Sequence, residues 1–126
     1  MESMLTKIIR ILLGLLLLVA GSNKFLHFMP EPPHPDAVKA FMGGLASAPY
    51  MFPLIATVEC LTGLAFVAGR FVALAAVVLT PIAINIVLFH ATFDPAGGGP
   101  GFFVGAATIY LLAVNLPKYQ DMLMPR

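Results

Sequence analysis

A single carboxylate, Glu59, lies inside a hydrophobic stretch that is long enough to cross a membrane. Residues 40–58 before it and 60–69 after it contain no Asp, Glu, Lys or Arg. Placing an ionised side chain at the centre of a bilayer costs about 2.5–3.5 kcal/mol on insertion scales. Such a residue usually faces the interior of a helix bundle, has a polar partner and marks a functional site. Glu59 is therefore the first candidate for chemistry, as a proton relay or as a contact to a ligand.

Three more polar residues fall in the same half of the predicted membrane region. Lys24 lies near the end of the first hydrophobic segment, and Asn85 and His90 lie toward the end of the third. On a helix, residues five apart are separated by about 140°, so Asn85 and His90 cannot both point at Glu59. We predict Lys24, Asn85 and His90 as ligand-binding residues, with Asn85 the more direct partner of Glu59 and His90 at the outer mouth.

The same residues also allow a purely structural interpretation. A contact between Glu59 and Lys24 or Asn85 would hold two helices in register, and such contacts stabilise membrane helix pairs by about 0.6–2 kcal/mol. A neutral Gln would do this at a lower desolvation cost, which favours a functional role for Glu59. For Lys24, Asn85 and His90 the structural interpretation is slightly favoured over a functional one.

Small residues accompany these polar groups. One face of the first segment carries Arg10, Gly14, Leu17, Gly21 and Lys24, at steps of three and four. Glycines on such a face let a neighbouring helix approach closely, so Lys24 is predicted to point toward partner helices. Gly63 lies one turn after Glu59. In the third segment, Pro81 leaves the carbonyl of residue 77 without its usual donor, one turn before Asn85.

The composition indicates a helical membrane protein. The 126 residues are 60% hydrophobic, and segments 71–93 and 95–117 each lack Asp, Glu, Lys and Arg. About 20 apolar residues span a bilayer as a helix, and continuous apolar runs without alternation favour helices over a barrel. We predict an all-α fold, an integral membrane four-helix bundle forming a single transmembrane domain over residues 1–126. The predicted spans are 5–27, 49–68, 71–91 and 101–117. The first resembles a signal peptide, but its continuing Gly–Lys pattern favours retention as a span.

The connection at 28–48 is predicted to contain a short interfacial helix. Four prolines, at positions 30, 32, 33 and 35, end the first helix and enforce an extended segment. A helical pattern then starts near Asp36, with an apolar face formed by Val38, Phe41, Met42 and Leu45. We interpret this helix as a cap on the bundle, with a lid over a lateral opening as the alternative. Residues 94–101, rich in Gly and Pro, are predicted as a loop.

The Lys and Arg residues predict the orientation in the membrane. With a cytoplasmic N-terminus, five of them lie inside: Lys7, Arg10, Arg70, Lys118 and Arg126. Only Lys24 and Lys39 then lie outside. Because cytoplasmic loops carry the excess of positive charge, both termini are expected in the cytoplasm.

Several classes of function are disfavoured. Cys60 is the only cysteine, so the chain cannot form an internal disulfide or a dithiol relay. A net charge of +1 gives no reason to expect a nucleic-acid partner. There is no His/Cys spacing suited to a metal, and His27 with His90 is a weak basis for a haem pair. We expect no metal and no covalently bound cofactor.

Three regions of the sequence resemble the DoxX family. These are RILLG at 10–14 with VAGSNKF at 19–25, ECLTG at 59–63 followed by Gly69 and Arg70, and PIAINIVLFH at 81–90. The resemblance implies a four-helix protein of the bacterial inner membrane. The family takes its name from association with a thiosulfate:quinone oxidoreductase, and other members are linked to redox or thiol-stress systems.

The resemblance and the residues together predict a small subunit or accessory of a quinone-linked oxidoreductase or redox-stress system. Glu59, with Asn85 and Lys24, would contact the quinone head group or relay its protons. The expected partners are the lipid bilayer and either a redox protein or further copies of the chain. A small oligomeric transporter or proton-coupled permeation unit is one alternative, and a non-catalytic membrane assembly factor is another. Whether the chain is itself an enzyme is left open.

Overall fold

The computed structural model describes residues 2–31 and 33–125 and shows an all-helical chain. Pro32 and Arg126, both used in the sequence predictions, lie outside the described residues. The five α-helices are α1 Met4–Leu26, α2 Asp36–Ala46, α3 Met51–Ala68, α4 Val72–Phe93 and α5 Gly99–Val114. Short 3₁₀ helices occupy Pro95–Gly97 and Leu116–Tyr119. The predicted helical membrane fold is confirmed.

Three of these helices, α1, α3 and α4, are long and apolar enough to cross a membrane. They agree with the predicted spans at 5–27, 49–68 and 71–91 within two residues at each end. The fourth predicted span corresponds to α5, which is apolar but has only 16 residues. Helix α5 begins at Gly99, before the predicted start at residue 101, and ends at Val114, before the predicted end at residue 117. The 3₁₀ helix Leu116–Tyr119 follows it.

The break between helices predicted at 94–101 is present, since α4 ends at Phe93 and α5 begins at Gly99, but most of the segment is helical and not an irregular loop. The side chain of Asp94 accepts a hydrogen bond from the backbone N–H of Gly97, at 3.3 Å, and thereby caps the 3₁₀ turn. Pro100 lies in the first turn of α5, where a helix leaves backbone N–H groups unpaired and a missing donor costs nothing. The segment therefore separates α4 from α5, and its Pro and Gly residues also form the first turns of the helices that follow.

Glycines bring α1 and α3 into close contact. A Cβ added at Gly14 would lie 2.7 Å from the carbonyl oxygen of Gly63, and one at Gly63 would lie 2.8 Å from that of Gly14. A Cβ at Gly21 would lie 2.7 Å from the Sγ of Cys60. The close approach predicted for the glycine face of α1 is confirmed, and Cys60 is part of this contact.

Arg10 holds the end of α3. Its buried guanidinium donates hydrogen bonds to the carbonyl oxygens of Phe66 and Val67, in the last turn of that helix. It also pairs with Glu2, with 2.9 Å from Nε to Oε2 and 3.1 Å from Nη2 to Oε1. The hydrogen bond from Arg10 holds the pKa of the Glu2 carboxyl below its ordinary value. Arg10 is thus a structural residue at the end of the bundle away from Glu59.

Replacing Arg10 should destabilise the bundle without touching the Glu59 end. In Arg10→Met the two carbonyls of α3 lose a buried donor, and we expect a loss of about 1–3 kcal/mol in the free energy of unfolding. SDS titration in mixed micelles measures this. Arg70→Met is the control, because Arg70 is exposed just beyond the same helix end. Equal stability of the two variants would contradict the capping role.

The half of the bundle around Arg10 is solidly packed. Five large side chains there are at most 1% exposed: Leu13, Leu17, Phe66, Leu79 and Leu111. They come from α1, α3, α4 and α5, so the four helices other than α2 meet in this core. Open space remains in the other half of the bundle, between this core and α2.

Candidate functional site

Glu59 and Lys24 form an ion pair across the contact between α1 and α3. The distance from Lys24 Nζ to Glu59 Oε1 is 2.6 Å. The side chain of Glu59 is 3% exposed and that of Lys24 is 26% exposed. Gly21 lies one turn before Lys24 and packs against Cys60, the neighbour of Glu59. The small residue therefore brings the two helices close enough for the ammonium to reach the buried carboxylate.

The ion pair lines a cavity of about 680 Å³. All five helices contribute to its wall, which is mostly apolar. Its polar side chains are those of Lys24, Glu59, Asn85 and His90. The structure thus brings together in one cavity all four site residues that the sequence predicts.

No hydrogen bond of the described residues joins the side chain of Asn85 to Glu59. The Asn85 side chain lines the cavity and is exposed, and it takes part in none of the hydrogen bonds of residues 2–31 and 33–125. The carboxylate bonds to Lys24 instead. Of the two contacts that the sequence analysis leaves open for Glu59, the structure shows the one with Lys24, because the glycine contact brings α1 close to Glu59. The preference for Asn85 over His90 stays a prediction.

His90 lies at the end of the cavity formed by α4 and α5. Its ring packs against Gly101, where an added Cβ would lie 2.4 Å from Cδ2. The ring centroid lies 5.0 Å from that of Phe89. In the part of the chain that the structure describes, Nδ1 of His90 is buried without a hydrogen-bond partner. A buried nitrogen of this kind has free capacity for a ligand or a proton.

Helix α2 forms a roof over the cavity. Phe41, Met42 and Leu45, three members of its predicted apolar face, line the space, and Val38 is 1% exposed. The ring of Phe41 lies 5.0 Å from that of Phe89 and 5.6 Å from that of Phe93, between centroids. The helix therefore both caps the bundle and covers the cavity. Its position relative to the membrane surface stays a prediction.

The cavity opens between α3 and α4. Its lining includes Leu54 on α3, which is 54% exposed, and Val78 on α4, which is 46% exposed. Near the turn at Gly69 the two helices are held together, since Gly69 adopts a left-handed φ of 73° and only two residues separate it from α4. The opening therefore lies away from the turn and faces the surroundings of the bundle.

The family model for DoxX matches residues 5–92 of the chain. The chain belongs to the DoxX family. No curated protein and no solved structure matched it. The matched range contains Lys24, Glu59, Asn85 and His90, whereas α5 lies beyond it. In this DoxX protein, α5 nevertheless supplies Pro100, Gly101 and Val104 to the cavity wall.

The sequence analysis did not predict that α5 contributes residues to the cavity wall. Gly101 is predicted as the end of the loop at 94–101 and the start of the span at 101–117, with no role in the site, although a glycine is needed there to leave room for the ring of His90. The signal in the sequence was the pair of small residues at positions 101 and 105. In the structure Gly105 also packs closely against α4, since a Cβ added there would lie 2.4 Å from the side chain of Val87. Such a pair four residues apart is typical of close packing between membrane helices.

The arrangement is suited to binding an apolar molecule with polar substituents. Ligand cavities typically measure about 300–1,000 Å³ and combine apolar walls with a few polar groups that fix orientation. In this DoxX protein the ammonium of Lys24 has donors beyond the one bonded to Glu59, and the amide of Asn85 both donates and accepts. Within residues 2–31 and 33–125, no group of three His, Cys, Asp or Glu residues is arranged to hold a metal ion.

Proposed function

We propose that the chain binds a membrane quinone in this cavity and works as a small subunit or accessory of a quinone-linked oxidoreductase or redox-stress system. The observation that carries the proposal is that Lys24, Glu59, Asn85 and His90 all line one apolar cavity of about 680 Å³. A volume in this range is typical of sites for small organic molecules. The cavity also opens on the side where lipid-dissolved molecules are found.

The donors in the cavity fit a quinone head group. Its two carbonyl oxygens accept hydrogen bonds, and Lys24 Nζ and the Asn85 amide supply donors at the wall. An amide that faces an apolar opening costs free energy unless it is hydrogen-bonded, so Asn85 benefits from a polar ligand. The apolar wall from α3, α4 and α5 matches the ring itself.

A bound quinone supplies two-electron redox chemistry that consumes or releases two protons. Glu59 holds or releases a proton at its carboxylate, and Lys24 keeps that carboxylate oriented toward the cavity. His90 lies at the other end of the cavity, where its Nδ1, free of hydrogen bonds in the described part of the chain, has capacity for a hydrogen bond to the ligand. Since the chain has a single cysteine, electrons taken from thiols enter through a partner protein.

The proposal includes a location. We place the protein in the bacterial inner membrane with both termini in the cytoplasm, because five of its seven Lys and Arg residues then lie on the cytoplasmic side. Membrane quinones are dissolved in the same bilayer. The cavity then lies in the outer half of the membrane, under α2.

The packing below the cavity favours binding over transport. Leu13, Phe66 and Leu111, each at most 1% exposed, fill the bundle between the cavity and Arg10. A permeation path through one chain would have to displace this core. A transporter built from several copies, or an assembly factor in which the ion pair only sets helix register, predicts a different response to mutation.

Glu59→Gln tests the proposal. Without the carboxylate, Lys24 loses its charge-assisted bond to Glu59, and its ammonium is no longer held at the cavity wall to donate to the quinone. We therefore expect quinone binding to weaken at least about tenfold, the loss that corresponds to one charge-assisted contact worth 1.5–3 kcal/mol. The measurement is equilibrium binding of a short-tailed ubiquinone to the protein in nanodiscs, together with the activity of the host pathway at unchanged protein level. Glu2→Gln is the matched control, because it removes a carboxylate from the other ion pair, that with Arg10.

Three outcomes separate the candidate functions. Weakened binding in Glu59→Gln, with Glu2→Gln unchanged, supports the quinone site. A change in proton or solute flux in liposomes that contain only this protein would favour transport. Normal pathway activity and normal binding in Glu59→Gln would leave the ion pair with a structural role and refute the proposal.

A further inference from the structure

We infer that the ligand of this cavity carries a hydrocarbon tail, and that the tail leaves sideways between α3 and α4 into the lipid. The inference rests on the proposed function, which concerns how the quinone ring is bound. It adds the chemical class of the tail and the route by which the tail leaves the cavity. It assigns Leu54 and Val78 as the residues that border the tail.

The distribution of exposure along α3 and α4 indicates this route. Leu54 and Glu59 both line the cavity, but Leu54 is 54% exposed and Glu59 is 3% exposed. Val78 on α4 is 46% exposed and lines the same space. Glu59 therefore lies on the buried side of the cavity, whereas Leu54 and Val78 form an apolar border that is open to the surroundings. A molecule with a polar ring and an apolar tail matches both sides at once.

The shape of the gap between α3 and α4 supports the same route. On α3 the cavity-lining residues lie between Met51 and Glu59, and on α4 they lie between Val78 and His90. The segments nearer to the turn at Gly69 do not line it. The two helices thus form a cleft that is closed at the turn and open away from it, with α2 across its wide end.

The roof makes the axial route less suitable for a tail. The ring of Phe41 packs on those of Phe89 and Phe93, so an axial tail would have to separate three aromatic rings. Such a tail would also pass α2 and the chain before it, which carry the charged residues Glu31, Asp36 and Lys39. Apolar tails are stable in the hydrocarbon region and not among charged groups.

A photoreactive quinone tests the route. The probe is a ubiquinone analogue with a diazirine about ten carbons along its tail, bound to the full-length protein in nanodiscs. After irradiation, peptide mass spectrometry locates the adduct, and excess unmodified short-tailed ubiquinone identifies specific label by competition. We expect competed adducts on the peptides that contain Leu54 and Val78.

Bulky substitutions at the same positions provide a second readout. Leu54→Trp and Val78→Trp should lower competed labelling about tenfold by filling the gap. Leu61→Trp and Leu74→Trp are matched controls, since these leucines are 64% and 60% exposed on the same two helices and do not line the cavity. The chain has no native Trp, so the fluorescence of each variant also reports that it is folded.

The outcomes distinguish this inference from the proposed function. Competed adducts on α2, or equal loss of labelling in the gap and control variants, would overturn the lateral route and leave the quinone site standing. Labelling that the unmodified quinone does not compete for would overturn the quinone site and the route with it.

Discussion

Lys24→Met is expected to lower the free energy of unfolding by about 3–5 kcal/mol, because it leaves the carboxylate of Glu59 buried without its partner. Glu59 is 3% exposed, and the ammonium of Lys24, at 2.6 Å, is its hydrogen-bond partner among the described residues. The measurement is SDS-induced unfolding in mixed micelles. Lys118→Met is the control, since Lys118 is exposed near the opposite end of the bundle.

The double variant Lys24→Met/Glu59→Met should recover most of this loss. Replacing both members of a buried ion pair by apolar side chains is often neutral or stabilising, whereas removing one member is costly. We expect the double variant to lie within about 1 kcal/mol of the wild type. A double variant as unstable as Lys24→Met would show that the stability depends on Lys24 itself and not on the pair.

The same double variant separates stability from function. If it folds normally and no longer binds quinone, the ion pair is retained for ligand binding and not for the bundle. If it folds and binds as the wild type does, Glu59 has no role in the site. A buried ion pair by itself is weak evidence for stability, so this comparison addresses the function of Glu59 directly.

Gly14→Val is expected to destabilise the bundle by about 3 kcal/mol or more, through overpacking at the contact between α1 and α3. An added Cβ would lie 2.7 Å from the carbonyl oxygen of Gly63 and 2.9 Å from the backbone nitrogen of Val67. Because the obstacle is backbone, the helices themselves must separate. The separation should also pull Lys24 away from Glu59, so quinone binding should fall together with stability in nanodisc measurements.

Gly44→Ala is the control for the glycine prediction. Nothing lies within 4 Å of a Cβ added at Gly44, and Ala is favoured over Gly in a helix by up to about 1 kcal/mol. This change should therefore be neutral or slightly stabilising. If Gly14→Val were as stable as Gly44→Ala, the close approach of α1 and α3 would not be what holds the site together.

Hydropathy along the sequence predicts where the helices lie and which residues are costly in a membrane. Charged side chains are costly in the bilayer, so the long apolar runs mark α1, α3 and α4 within two residues, although α1 carries Lys7, Arg10 and Lys24 and α3 carries Glu59. The isolated carboxylate at Glu59 was visible for the same reason. The glycine spacing of α1 predicted its close contact, because that pattern is a property of one helix face.

Which polar groups meet depends on how the helices pack against one another. Lys24, and not Asn85, bonds to Glu59, because glycine contacts between distant parts of the chain set the rotation and depth of α1 against α3. The same holds for the roof formed by α2 and for the packing of His90 on Gly101. A periodic pattern gives the face of each helix, but its partner depends on how the other helices pack, and no local run of residues encodes that packing.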